Sequence, residues 1–323
     1  TDVFRNVPRK KNYDALSGGN DLTKRPLKNI AASVRQKLLN KSRADIRTFH
    51  ELVQYYAMER FLYRLALSHH ANRFILKGAL ILRIWQAPEI RPTMDIDLLG
   101  KTKNDTSQLT SIVEDILSIE IEPDGLIYFA EQIKVETIAE EAEYQGVRIW
   151  FPAKIDTMSL NMQIDIGFGD VVYPAPEKTE IPSMLELPSP WLLCYSRESL
   201  IAEKFEAMLK HRELNSRMKD FHDIWLLSRH FGFEGRQLSE AIKLTLEQRG
   251  TSLPVNIVAF SDAFISTKQT QWNAFRKKLK QDHIPEKFEE IVKQVKDFIG
   301  PITSALMSDK SPPSKWSAPG PWV

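Results

Sequence analysis

Three aspartates in this sequence stand at spacings that suit oxygen coordination of a hard cation. Asp95 and Asp97 flank one apolar residue in Arg91-Pro92-Thr93-Met94-Asp95-Ile96-Asp97-Leu98-Leu99-Gly100. In an extended strand residues two apart share a face, so both carboxylates project together while Ile96 and Leu98 turn into the core. Their mutual repulsion is relieved when Mg²⁺, or Mn²⁺, binds between them and the phosphate oxygens of a substrate. The third is Asp165 in Met162-Gln163-Ile164-Asp165-Ile166, where alternation buries Met162, Ile164 and Ile166 and turns Asp165 to the other face. It can join the pair as a metal ligand, or accept the proton of an attacking hydroxyl. Asp170 is a weaker candidate, because Gly167 and Gly169 mark the end of the strand. Spacing alone leaves open, for each, the plainer reading of a solvent-facing strand carboxylate.

Two further constellations suit an anionic ligand. Leu76-Lys77-Gly78-Ala79 reads as a strand-to-helix turn, in which Gly78 lets the backbone approach a phosphate and Lys77 adds positive charge. Downstream, Ser196 caps a helix whose apolar stripe is Leu200, Ile201, Phe205 and Met208, and Lys204 falls inside that stripe. An ammonium there must snorkel outwards or meet a fixed anion, either a nucleotide phosphate or a carboxylate such as Asp223. Asp220 and Asp223 lie three apart on one face of the next helix; His222 lacks a second histidine at metal-ligand spacing and is given no role.

These residues need a scaffold. Residues 1–28, with Pro8, Ser17-Gly18-Gly19-Asn20 and Pro26, read as a flexible basic arm. From Asp45, Phe49, Leu52, Val53 and Tyr56 recur at helical spacing toward Leu65. Strands follow around 73–76, 94–99, 132–138, 145–151 and 159–168, with helices at 79–85 and 106–117. The reading is a mixed α/β domain over 29–190 and a mainly helical domain over 191–300 that completes the active site. A proline- and serine-rich flexible tail over 301–323 ends the chain.

Composition narrows the class. The chain has 323 residues, 42% of them hydrophobic and 27% charged, and a net charge of +2. Residues 1–47 carry +8 and the remainder −6, so the basic end suits nucleic-acid phosphates or is a solvated tail. A single cysteine, Cys194, excludes an intramolecular disulfide framework and a cysteine-rich zinc site. With no apolar run long enough for a membrane and no apolar signal core, the expected place is the cytoplasm.

The order of Leu76-Lys77-Gly78-Ala79, Arg91 to Gly100, Ile164-Asp165-Ile166, Ala202-Glu203-Lys204 and Lys219-Asp220-Phe221-His222-Asp223 resembles the AbiEii/AbiGii nucleotidyltransferase toxin family, over roughly residues 45–230. The resemblance implies a polymerase-β-like core, use of Mg²⁺ and an NTP, and a role as the toxin of a type IV toxin-antitoxin or phage-defence pair with a cognate antitoxin. By that resemblance Asp95 and Asp97 bind metal, Lys204 contacts the nucleotide, and the later catalytic aspartate is Asp220 or Asp223, with Asp223 preferred. Gly78 takes the phosphate-loop position, with Lys77, Ala79, Arg91 and Thr93 beside the nucleotide. Many relatives have serine or glycine where this chain has Ala79, which removes a hydroxyl contact and predicts altered nucleotide affinity. The reaction expected is transfer of an NMP to a nucleic-acid hydroxyl, such as the 3′ end of tRNA. Two rivals are a phosphotransferase using the same acidic site and a non-catalytic nucleotide- or RNA-binding regulatory partner.

Overall fold

The computed structural model describes residues 29–323 apart from 46, 88–90 and 140–144. The expected basic arm, residues 1–28, therefore lies outside the described residues. Two helices open the fold: α1 (Ile30–Arg43), capped by the Asn29 side chain, and α2 (Phe49–Leu67), opened by a capping box between Thr48 and Glu51. Only Val34 and Leu38 of α1 are buried, too few to announce it in the apolar pattern, whereas α2 is buried around most of its circumference.

The chain then alternates β1 (Phe74–Lys77), α3 (Ile81–Ile84), β2 (Ile96–Gly100) and α4 (Thr106–Leu117). Next come β3 (Leu126–Tyr128), β4 (Lys134–Ala139), β5 (Gln145–Ile155), β6 (Met158–Phe168), β7 (Glu177–Glu180) and β8 (Trp191–Cys194). They form one mixed sheet in the order β3-β5-β6-β2-β1-β8-β7, with β4 sharing an edge of β5 with β3. β2 runs parallel to β6 and antiparallel to β1, and β1 runs parallel to β8. β8 thus extends the sheet past the expected boundary at residue 190, because Cys194 pairs with Leu76.

Ile96, Leu98, Ile164 and Ile166 are all buried on one face of β2 and β6. Each contributes about 1.5–3 kcal/mol on burial. Slipping either strand by one residue would expose its pair and drive an aspartate into the core, so the apolar face fixes the register. α2 covers this face: the Gln54 amide reaches Met162 Sδ at 3.9 Å and donates to the Asn161 and Met94 carbonyls at 3.2 and 3.3 Å. The opposite face is left for polar residues.

Past β8 the chain is mainly helical: α5 (Arg197–His211), α6 (Met218–His230), α7 (Gly235–Gln248), α8 (Asp262–Leu279) and α9 (Phe288–Ser308). Phe221, Phe264, Trp272 and Phe288 pack together in its core, with Phe221 and Phe288 edge to face at 5.1 Å. The loose tail expected over 301–323 is not found. α9 continues through Pro301 to Ser308, and β10 (Lys315–Trp316) pairs antiparallel with β9 (Phe233–Glu234). Trp316 is 2% exposed and donates to the Ser228 carbonyl at 2.6 Å, while Trp322 stacks on Phe298 and donates to its carbonyl at 2.8 Å. Two tryptophans therefore anchor a segment whose prolines suggested none.

Candidate active site

Strand register brings the candidate residues together. Lys77 of β1 stands opposite Asp97 of β2, and Asp97 opposite Asp165 of β6. Asp165 in turn stands opposite Arg148 of β5, and Arg148 opposite Glu136 of β4. Paired residues share a face, so one row, Lys77, Asp97, Asp165, Arg148, Glu136, crosses five strands on the side away from α2. Its two adjacent negative charges are flanked by a cation on each side. Asp95 enters from the segment before β2, and carboxylate oxygens of Asp95, Asp97 and Asp165 all lie within 4.8 Å of one another.

The three carboxylates are not equivalent. Asp95 accepts from the Thr93 hydroxyl, and the Thr93 backbone N–H donates to the Tyr55 hydroxyl at 3.0 Å, which ties this approach segment to α2. Asp165 is held by the Arg148 guanidinium fork at 2.7 Å to each oxygen and by the Gln163 amide at 3.1 and 3.2 Å. No hydrogen bond from the described residues reaches the Asp97 carboxylate. Burial, reinforced by Asp95 and Asp165 and opposed by Lys77, pushes its pKa up to about 7.

Gly78 is required by this carboxylate as well as by the turn. Its φ is +72°, and a Cβ placed there would stand 1.8 Å from Asp97 Oδ2. Ala79, the departure noted above, is buried at the start of the turn toward α3.

Lys77 does not point free into the site. Its ammonium donates to Asp170 at 2.8 Å and to Glu203 at 3.3 Å, and the Arg249 guanidinium binds Asp170 at 2.7 Å. Burial alone would raise the Asp170 pKa, but Lys77 and Arg249 outweigh it and hold it down at about 2. Asp170, the weaker candidate in the sequence, lies just past the end of β6, which runs through Gly167 to Phe168. The pairing of Glu203 with Lys77 also joins α5 to the edge of the carboxylate row.

Lys204, the next residue on α5, meets carboxylates: Asp223 at 2.7 Å and Asp220 at 3.0 Å. Of the two anions its position left open, the described contacts are those of the ion pair. Arg91 binds Asp223 at 3.1 Å, and Arg217 binds Asp220 at 2.7 Å. Burial would raise the pKa of Asp223, yet Arg91 and Lys204 hold it well below the carboxylate range; Asp220 is lowered in the same way by Lys204 and Arg217. Both aspartates are buried with 0% exposure. Lys219, whose position in the sequence points to no role, lies beside this cluster. Partial burial of its ammonium, together with Arg217, Arg91 and Lys204 nearby, lowers its pKa, and its charge reaches Asp97. Arg91, Lys204, Arg217 and Lys219 outnumber Asp220 and Asp223 by two positive charges, and Arg91 also feels Asp97.

A family model described as nucleotidyl transferase AbiEii toxin, type IV TA system, matches residues 60–294. The chain belongs to the AbiEii family. The family implies a nucleotide substrate and an antitoxin partner. No curated protein matches the chain. Among solved structures, a protein from H. pylori provisionally described as a nucleotidyltransferase is 14% identical with a TM-score of 0.47, covering 82% of this chain and all of its own. JHP933 from Helicobacter pylori has the same identity and TM-score, covering 81% of this chain and 95% of its own. Among the described residues of this AbiEii chain no helix is long and apolar enough to cross a membrane.

Proposed function

We propose that this AbiEii chain transfers a nucleoside monophosphate from an NTP to a hydroxyl at an RNA end, with the 3′ end of tRNA as the acceptor, using Mg²⁺ or Mn²⁺. The observation that carries this reading is the convergence of Asp95, Asp97 and Asp165 within 4.8 Å beside the Gly78 turn. The residues fit a hard divalent cation. They offer only oxygen ligands, and Asp97 is a crowded carboxylate without a protein donor among the described residues, a situation that a cation relieves. Asp95, Asp97 and Asp165 would hold it. When bound, it neutralises charge on the triphosphate and on the oxyanions of the reaction.

The protein's own groups do the rest. Asp165 takes the proton of the acceptor hydroxyl as that oxygen bonds to the α-phosphorus. The bond from the α-phosphorus to the bridging oxygen breaks, and pyrophosphate leaves. The positive excess of Arg91, Lys204, Arg217 and Lys219 suits the triphosphate, with Lys219 and Arg91 nearest in charge to Asp97. Asp220 and Asp223 hold these cations in place. Lys77 stands opposite Asp97, its ammonium fixed by Asp170 and Glu203.

The test is incubation with Mg²⁺, total bacterial RNA and each NTP labelled at the α- or γ-phosphate, beside Asp97→Asn. Asp97-dependent α-label on an RNA band is expected and identifies the base and the acceptor. Label only from the γ-position would replace this reading with phosphotransfer, and binding without transferred label would replace it with a regulatory role.

A further inference from the structure

Both oxygens of Asp165 are already occupied. A carboxylate offers about four lone-pair positions in all. At Asp165, Oδ1 accepts from Arg148 Nε and Gln163 Nε2, and Oδ2 accepts from Arg148 Nη2 and the same Gln163 nitrogen. A cation reaching Asp165 must displace one of these donors, and the guanidinium fork makes the shorter contacts, 2.7 Å to each oxygen against 3.1 and 3.2 Å from Gln163. Arg148 also bears a positive charge that the Asp95 carboxylate feels, so it opposes a cation by repulsion as well as by occupancy.

We infer that Arg148 withholds Asp165 from the divalent cation until the phosphates of a bound nucleotide draw the guanidinium away. The inference rests on the reading of Asp95, Asp97 and Asp165 as the cation site. Arginine stays charged across the accessible pH range, so loss of its own proton does not release it, whereas a competing anion can. A triphosphate is such an anion, since its oxygens accept the same bidentate fork. The pair is within reach of one: the Arg148 side chain is 30% exposed and Asp165 18%. Gln163 remains to orient the freed carboxylate, steadied by the Trp150 indole N–H at 3.1 Å. Arg148 is thus a positioning residue for Asp165 and a phosphate contact in turn, and it makes full cation binding conditional on substrate.

The experiment is titration of the full chain with Mn²⁺ alone, followed by the paramagnetic resonance of free Mn²⁺, for wild type, Arg148→Met, Arg148→Lys and Asp97→Asn. Arg148→Met is expected to bind Mn²⁺ about tenfold more tightly than wild type, the lower end of what groups bordering a metal ligand exert. Arg148→Lys, which keeps a charge but loses the fork, is expected to fall between. Repeating the titration with a non-hydrolysable NTP should tighten Mn²⁺ binding in wild type and change it less in Arg148→Met. A residue that only props up the strand would move affinity the other way. Unchanged or weaker Mn²⁺ binding in a folded Arg148→Met protein overturns the inference. If Arg148→Met fails to melt cooperatively, Arg148→Lys decides by the same criterion. Undiminished Mn²⁺ binding in Asp97→Asn instead overturns the underlying cation site.

Discussion

Gly78 and Asp97 share one space: a Cβ at residue 78 would stand 1.8 Å from Asp97 Oδ2 and 2.5 Å from its Cγ. The turn and the carboxylate therefore form one unit. Gly78→Ala must either push the carboxylate out of the row or deform the turn. Displacement of a reacting group by an ångström costs on the order of 100-fold in rate. We expect nucleotidyl transfer by Gly78→Ala to fall by about that factor. The positive φ adds about 1–2 kcal/mol of destabilisation. Labelled transfer beside a denaturation curve checks both, and a rate near that of wild type would show that Asp97 tolerates the shift.

Lys219 is the cation that its neighbours least welcome. Burial first, and then Arg217, Arg91 and Lys204 around it, lower its pKa. Replacing it with methionine should leave stability unchanged or slightly improved while raising KM for the NTP about tenfold, a loss of some 1.4 kcal/mol of binding. Steady-state kinetics at fixed acceptor concentration measures this. An unaltered KM would remove Lys219 from the nucleotide's path.

The buried cluster on α5 and α6 has an acid signature. The folded-state pKa of Asp223 lies well below its usual value, so its stabilisation is complete above the unfolded value and drains as pH falls toward the folded one. Asp223→Asn takes from Arg91 the carboxylate it binds and leaves Lys204 only Asp220 of its two, and should cost about 3 kcal/mol at pH 7. That gap should hold down to about pH 5 and narrow below about pH 4, near the ordinary aspartate value. Urea denaturation of both proteins at pH 7, 5 and 3 tests it. A gap that widens on acidification would contradict the assignment.

The C-terminal segment closes on α6 through Trp316, whose indole donates to the Ser228 carbonyl at 2.6 Å. Trp316→Ala should destabilise the protein by about 3–5 kcal/mol. Trp316→Phe keeps most of the packing and loses about 1 kcal/mol with the hydrogen bond. Denaturation midpoints, with amide exchange in α6, would separate the two effects. A neutral alanine variant would mean that the segment does not support the helix.

Much of this was legible beforehand, for reasons that differ by residue. Asp97 and Asp165 could be placed on a common face because alternation with Ile96, Leu98, Ile164 and Ile166 leaves them no other side. Lys204 was conspicuous as a charge in an apolar stripe, though only the fold shows Asp220 and Asp223 around it. Arg148 was missed because its partner is set by register rather than by local pattern. The signal existed: Ile155 pairs with Met158 across the turn at Asp156 and Thr157, and counting outward from that turn sets Arg148 opposite Asp165. Pro152 made β5 look shorter than it is, which hid the count. The tail was misjudged because prolines and serines describe local chain preference, whereas its burial depends on Trp316 and Trp322 meeting Phe298.

The row from Lys77 to Glu136 runs perpendicular to the chain, one residue from each of five strands. Its chemistry is consequently sensitive to length as well as to identity. Many substitutions on the polar face leave the alignment untouched, but gaining or losing one residue between the β5–β6 turn and Asp165 would put a different β5 side chain in place of Arg148 beside Asp165 while every aspartate stayed in the sequence. The hairpin works as a ruler, and an alignment that opened a gap inside it would describe a protein without this site.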